Sequence, residues 1–507
     1  MRGLGALDFV VIIAYLIGIT LLGVYVGRRQ RDSKDYFVAD REIPWWAVMF
    51  SIVASETSAL TFISVPGLAY MTNLGFLQIA LGYLVGRIAL AYTLLPRYYE
   101  GNLVTAYALL EQRFGLATRR FTSIVFMATR GMADSVRVFA TAVPIAIILG
   151  PMLPQAAVMP VAVLVLGTLT VLYTIKGGMR AVVWTEIVQA SVYLFGGIAA
   201  VVLVGMLVHG GWGAILPQAA AAGKLRAFKW YTGFDDANTF LAGVLGGAFL
   251  SMASHGADQL IVQRLLSARS LKSAQAAVIG SGVAVIIQFA LFLVLGVGLW
   301  SFYGNRKFAT PDAIFPTFIV EHMPHGLLGL LLAAILAATM STHSGAINSL
   351  AAASTHDIYL PLTGRSADDP RTLRVGRWFA LLWGIVLTGG ALLFPQNQQT
   401  PVVVIALSIA SFTYGGLLGG FFLAIFWRRA VQRDAILGMS VGIAAMSLIV
   451  FAKQISAAVP ALAPDLASAS KIAYPWYVLI GTDITMFVGI LSSFTHRQES
   501  AARAESI

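Results

Sequence analysis

Runs of about 20 apolar residues without charge recur along the whole chain, each long enough at about 1.5 Å per residue to cross the roughly 30 Å hydrocarbon layer of a bilayer. About thirteen can be marked, at 7–27, 45–70, 75–98, 121–149, 156–174, 181–209, 240–255, 276–300, 327–351, 378–393, 402–427, 436–451 and 475–494. A backbone in lipid must satisfy its own hydrogen bonds, and runs of this length do so as helices. Of the 507 residues only 11% are charged, against about 25% in soluble domains. The predicted class is an all-α integral membrane protein.

The net charge of +11 raises the question of nucleic acid. Sorting the basic residues by loop answers it. With the N-terminus outside, roughly 23 of the 34 Lys and Arg fall in alternate loops and the C-terminal tail, the excess expected on the cytoplasmic face. The clusters at 28–41, 113–120, 264–272, 365–377 and 428–433 all lie on that side, and an odd span count puts the C-terminus there too. No nucleic-acid partner is needed. The first run lacks the basic n-region of a cleaved signal peptide and is followed by Arg28, Arg29 and Arg31, so it is read as a retained helix. Cysteine is absent, which excludes disulfides and thiolate chemistry.

Polar groups inside a span are costly and point to function. In "AVMFSIVASETSALTFISVPGLAY", 47–70, apolar sequence is broken by Ser55, Glu56, Thr57 and Ser58. One reading is a helix that unwinds, exposing carbonyls to a cation and amides to an anion; the other is hydroxyls bonded back to an intact helix. In "AATMSTHSGAINSLAAASTHDIY", 337–359, Ser341, Thr342 and Ser344 form a hydroxyl face that can ligate a hard cation or simply pack against another helix. His343 is expected on another face. Arg130, Asp134 and Arg137 in one span can pair at i+3 and i+4, leaving a surplus positive charge for an anion. Glu186 reads either as a site residue or as an interfacial acid, and "GGAFLSMASHGADQLIVQRLLSA", 246–268, as a counterpart of the first break.

Four ordered stretches, "DYFVADREIPWW", "YTIKGGMRAVVWTEIVQ", "GADQLIVQRLLSA" and "LAATMSTHSGAINSLAAASTHDIY", resemble signatures of the sodium:solute symporter family over roughly 35–414. The resemblance implies an inverted five-plus-five helix repeat of the leucine-transporter type. On that pattern 1–44 holds a first helix and loop, 45–208 and 209–430 the two repeats, and 431–507 two peripheral helices and the tail. It implies a main Na⁺ site from the carbonyls of Ala54, Thr57 and Ala338 and the hydroxyls of Ser341 and Thr342. A second Na⁺ site would use Glu186, Ser341 and Ser344, but a further hydroxyl position is Gly345. Glu56, Ser58, Thr61 and Gln78 fall where the family binds substrate, and Arg137 resembles an Arg that holds a carboxylate.

The expected function is therefore Na⁺-coupled symport of a small organic solute across the cell membrane by alternating access, with a carboxylate-bearing solute favoured and a sugar open. Proton coupling through Glu56 or Glu186 and a passive channel remain as rivals. A membrane enzyme is not expected, because no metal-ligand cluster, nucleophile elbow or P-loop is present.

Overall fold

The computed structural model describes residues 4–27, 33–56, 59–100, 103–150, 153–230, 233–304, 306–367, 369–394 and 402–496. The apolar runs form α1 (Ala6–Val26), a broken pair α2 (Trp45–Glu56) and α3 (Ala59–Met71), α4 (Leu77–Tyr99) and α5 (Leu116–Leu149). Next comes one continuous helical stretch, Gln155–Leu207, of 53 residues. At 1.5 Å per residue it would measure about 80 Å, far more than one bilayer crossing, so it must hold two spans. The division falls at Gly178, whose φ of 62° and ψ of −178° are open to glycine alone. We call its parts α6 (Gln155–Val171) and α7 (Gly178–Leu207).

The second half repeats the theme. α8 (Gly247–Gly256) stops at a break and restarts as α9 (Gln259–Leu266), where the Asp258 side chain accepts from the Leu260 amide at 2.8 Å and caps the new helix. Then follow α10 (Leu271–Tyr303), α11 (Leu327–Ala353), α12 (Pro370–Leu392), α13 (Val402–Phe426), α14 (Gln432–Val450) and α15 (Trp476–Ser493). Each run marked in the sequence thus coincides with a helical segment. Among the described residues eight are long and apolar enough to cross a membrane alone, and the bent pair α2–α3 makes a ninth. The exceptions include α5 and α11, which carry the charged and hydroxyl side chains noted above. The connections after α7 and α10 hold short helices of their own, Gly211–Ala221 and Ile314–His322.

Without a hydrophobic force between helices in lipid, close backbone approach has to hold spans together. The contact of α4 with α8 and the helical turn before it, Ala242–Gly246, does this through glycines on α4: a Cβ on Gly82 would strike the carbonyl of Gly243, and one on Gly86 the carbonyl of Ala248. Neither obstacle is a side chain that can swing away. Gly86→Val is therefore expected to destabilise the protein by about 1–3 kcal/mol or more, the range for overpacking. Thermal unfolding in detergent reads it, and an unchanged midpoint would show that the helices can part at no cost.

Candidate functional site

The polar break in the first core segment is a bend. α2 ends at Glu56, α3 begins at Ala59, and their axes differ by 58°. Thr57 and Ser58 lie outside the described residues. α11 packs against both halves, which brings the helix bearing Ala338, Ser341 and Thr342 to the one that ends just after Ala54. Thr342 is buried there; the Ser341 side chain lies outside the described residues.

Glu56 turns back into the protein. Its carboxylate pairs with Arg87 of α4 and lies 3.7 Å from His255 Nε2 of α8. The Arg87 guanidinium is fully buried, donating also to Ser281 Oγ at 2.7 Å and to Ser251 Oγ at 3.3 Å. One carboxylate at the break therefore fastens α2 to α4 and α8, with α10 joined through Ser281. Thr61 is buried in the first turn of α3.

Gln78 is held apart from this cluster. Its amide donates to Gly75 O at 3.1 Å and Asn238 O at 2.9 Å, and its oxygen accepts from the Lys229 amide at 3.1 Å. It ties α4 to the 229–238 connection, nine residues and about 13 Å along the helix from Arg87.

Glu186 is fully buried, so the interfacial reading does not hold. Oε1 accepts from Arg264 Nη2 at 2.6 Å and from Ser55 at 3.0 Å, and Ser51 donates to Oε2. Arg264, counted in the sequence with the cytoplasmic loop charges, is equally buried. Ser344 is buried and its hydroxyl has no partner among the described residues.

The α5 triad behaves differently from its sequence reading. Arg130 does reach Asp134, at 3.4 Å, but its stronger contact is Asp258 of the second break, at 2.6 Å. Tyr414 of α13 also donates to Asp258. The surplus positive charge expected on α5 is thus balanced across the break. Arg137 meets Asp134 at 3.3 Å and keeps its Nε without a partner among the described residues.

Arg137 opens onto a narrow cleft between α5 and α11. Its walls are Asp134, Arg137, Val138 and Thr141 from α5 and Thr339, Thr342 and His343 from α11. Asp134 Oδ2 and both ring nitrogens of His343 are buried here without partners among the described residues. Buried polar groups normally have partners, so this set can take water or a polar ligand. His343 was expected on another face; 100° from Thr342 on the helix, it still reaches the same cleft because the cleft is wider than one helical position.

The chain matches the model of the sodium:solute symporter family over residues 36–442. The chain belongs to that family. It is 28% identical over 501 residues to the sodium/sialic acid symporter NanT of Aliivibrio fischeri, covering 97% of this chain and 94% of that protein. With the human sodium-coupled monocarboxylate transporter 1 it shares 26% over 457 residues, 87% of this chain and 73% of the other. A solved structure of a Na⁺-coupled sialic acid symporter, substrate-bound and outward-open, superposes with a TM-score of 0.83 at 26% identity, covering 97% and 98% of the two chains. Mhp1, a nucleobase-cation-symport-1 family transporter, superposes with a TM-score of 0.56 at 12% identity and so shares the fold. The symporter therefore has the leucine-transporter-like inverted repeat, is a multi-pass membrane protein and a transporter rather than an enzyme, and couples Na⁺ to movement of a small solute.

Proposed function

We propose that the symporter carries a carboxylate-bearing solute in the cleft between α5 and α11, with its main Na⁺ held by the carbonyls of Ala54, Thr57 and Ala338 and the hydroxyls of Ser341 and Thr342. One observation carries this reading: Arg137 and Thr342 line the same cleft. A guanidinium suits a carboxylate, which it can grip through two parallel hydrogen bonds, and an ion beside it on α11 couples the two loads. His343 and Asp134 supply further hydrogen-bonding atoms for hydroxyl or amide groups, which favours a hydroxylated acid such as a sialic acid over a plain monocarboxylate. The names of a sialic acid symporter and a monocarboxylate transporter among the relatives both fit a carboxylate. Glu56 takes a supporting part, since Arg87 already neutralises it; Ser58 and Thr61, near the break, are further candidates to meet the solute, and Gln78, tied to the 229–238 connection, is not. The repeats run 45–208 and 209–430, the N-terminus lies outside and the C-terminus in the cytoplasm of a cell whose plasma membrane holds the protein.

The test is thermal stabilisation of purified protein by N-acetylneuraminate, lactate, proline and glucose, each in Na⁺ and in K⁺. A ligand at a hundred times its Kd adds about 2.7 kcal/mol. The sialic acid should stabilise in Na⁺ alone. Arg137→Ala should abolish that effect while the Na⁺ effect on the empty protein persists. Stabilisation by glucose with Arg137→Ala as responsive as wild type would sink the carboxylate reading.

A further inference from the structure

A carboxylate buried as deeply as that of Glu186 demands a positive charge beside it. Its two oxygens, with the hydroxyls of Ser51 and Ser55, make a cluster of hard oxygens from α7 and α2, donor chemistry that suits a small cation such as Na⁺. A guanidinium stands there. Arg264 Nη2 donates to Oε1 at 2.6 Å, and Nε reaches Oε2 at 3.4 Å and Ser51 Oγ at 3.1 Å. Its Nη1 is anchored on the carbonyl of Leu260 at 2.6 Å.

The room for this side chain comes from α11. A Cβ built on Gly345 would sit 2.6 Å from Arg264 Nη2, closer than such atoms approach. A larger residue there, serine included, would require the guanidinium tip to shift from the place where it meets Glu186. Gly345 and Arg264 are therefore one device: the missing side chain on α11 admits the charge from α9.

We propose that Arg264 is a built-in cation occupying the position of a second sodium ion, so that the symporter binds a single Na⁺, and that Gly345 is the residue that admits it. The count of one rests on the main sodium site proposed above. An arginine cannot give up its proton in a protein, and it is tethered to its helix, so this charge neither dissociates nor crosses the membrane. A second ion would meet a fixed like charge and carboxylate oxygens already engaged.

Equilibrium binding of radioactive sodium to the purified full-length protein, in choline-balanced buffer without solute, counts the ions directly. Wild type should saturate at one per chain, and Thr342→Ala should need roughly ten- to hundredfold more sodium to bind it. The paired change Arg264→Ala with Gly345→Ser removes the guanidinium and returns a hydroxyl to α11, and should bind two. Two ions in wild type would overturn the proposal and leave the main site standing. A monodisperse double variant that still binds one overturns it as well, since the arginine would then not be what excludes the ion. No ion in wild type would remove the main site and this inference together. If the double variant does not fold, the wild-type count decides alone.

Discussion

Sodium-driven uptake in proteoliposomes falls steeply when Thr342 is replaced by alanine, and likewise for Ser341→Ala. Each hydroxyl is assigned to the ion, and a contact with a charged group contributes about 1.5–3 kcal/mol, which is roughly a ten- to hundredfold weaker apparent affinity for Na⁺. The loss should be partly recovered at high Na⁺, and solute affinity at saturating Na⁺ should change less. Thr342→Ser keeps the oxygen and should behave nearly as wild type, which separates loss of a ligand from loss of packing. Uptake by the alanine variants with wild-type sodium dependence would remove α11 from the ion site.

The second large effect is on stability. Asp258→Ala strips Arg130 of its 2.6 Å partner, leaves the Tyr414 hydroxyl without its acceptor and removes the cap of α9. Breaking a buried pair by deleting one member costs about 3–5 kcal/mol, and the lost cap adds about 1. The thermal midpoint in detergent should drop accordingly. Asp258→Asn keeps the capping oxygen and should recover only the smaller part. Replacing both members, Arg130→Met with Asp258→Asn, should be less harmful than Asp258→Ala, because no unpaired charge is left. A single variant that unfolds at the wild-type temperature would mean that water, and not Asp258, compensates Arg130.

The spans were legible in the sequence because each is a local property: twenty uncharged apolar residues in a row announce themselves without reference to any neighbour. The polar interruption at Ser55–Ser58 stood out for the same reason, though the residues alone fit an unwound helix and an intact one equally, and only the 58° between the helices on either side decides for a break. The electrostatics were not. Arg87, Arg264 and Asp258 find their partners 31, 78 and 128 residues away along the chain, and no spacing rule reaches that far. Reading Arg130, Asp134 and Arg137 by helical periodicity found the contacts inside α5 and missed the one that balances its charge. Arg264 was misplaced because a basic residue near other basic residues looks like a loop. Gln78 falls at a helix start, where only the folded connection at 229–238 reveals its partners. His343 lay hidden in a different way, since neighbouring positions on a helix diverge by 100° and only the width of the cleft reunites it with Thr342.

The glycine contact between α4 and α8 bears on how such a molecule can move. Where backbone meets backbone there are no side chains to change rotamer, so the two helices have no cheap way to slide, and Glu56 with Arg87 binds α2 to the same unit. Ala54 travels with that unit, whereas Ser341 and Thr342 travel with α11. In the proposed site an ion is shared between them, which would make it a rivet across a sliding joint: with the ion in place the two bodies share one motion, and its departure would let them part.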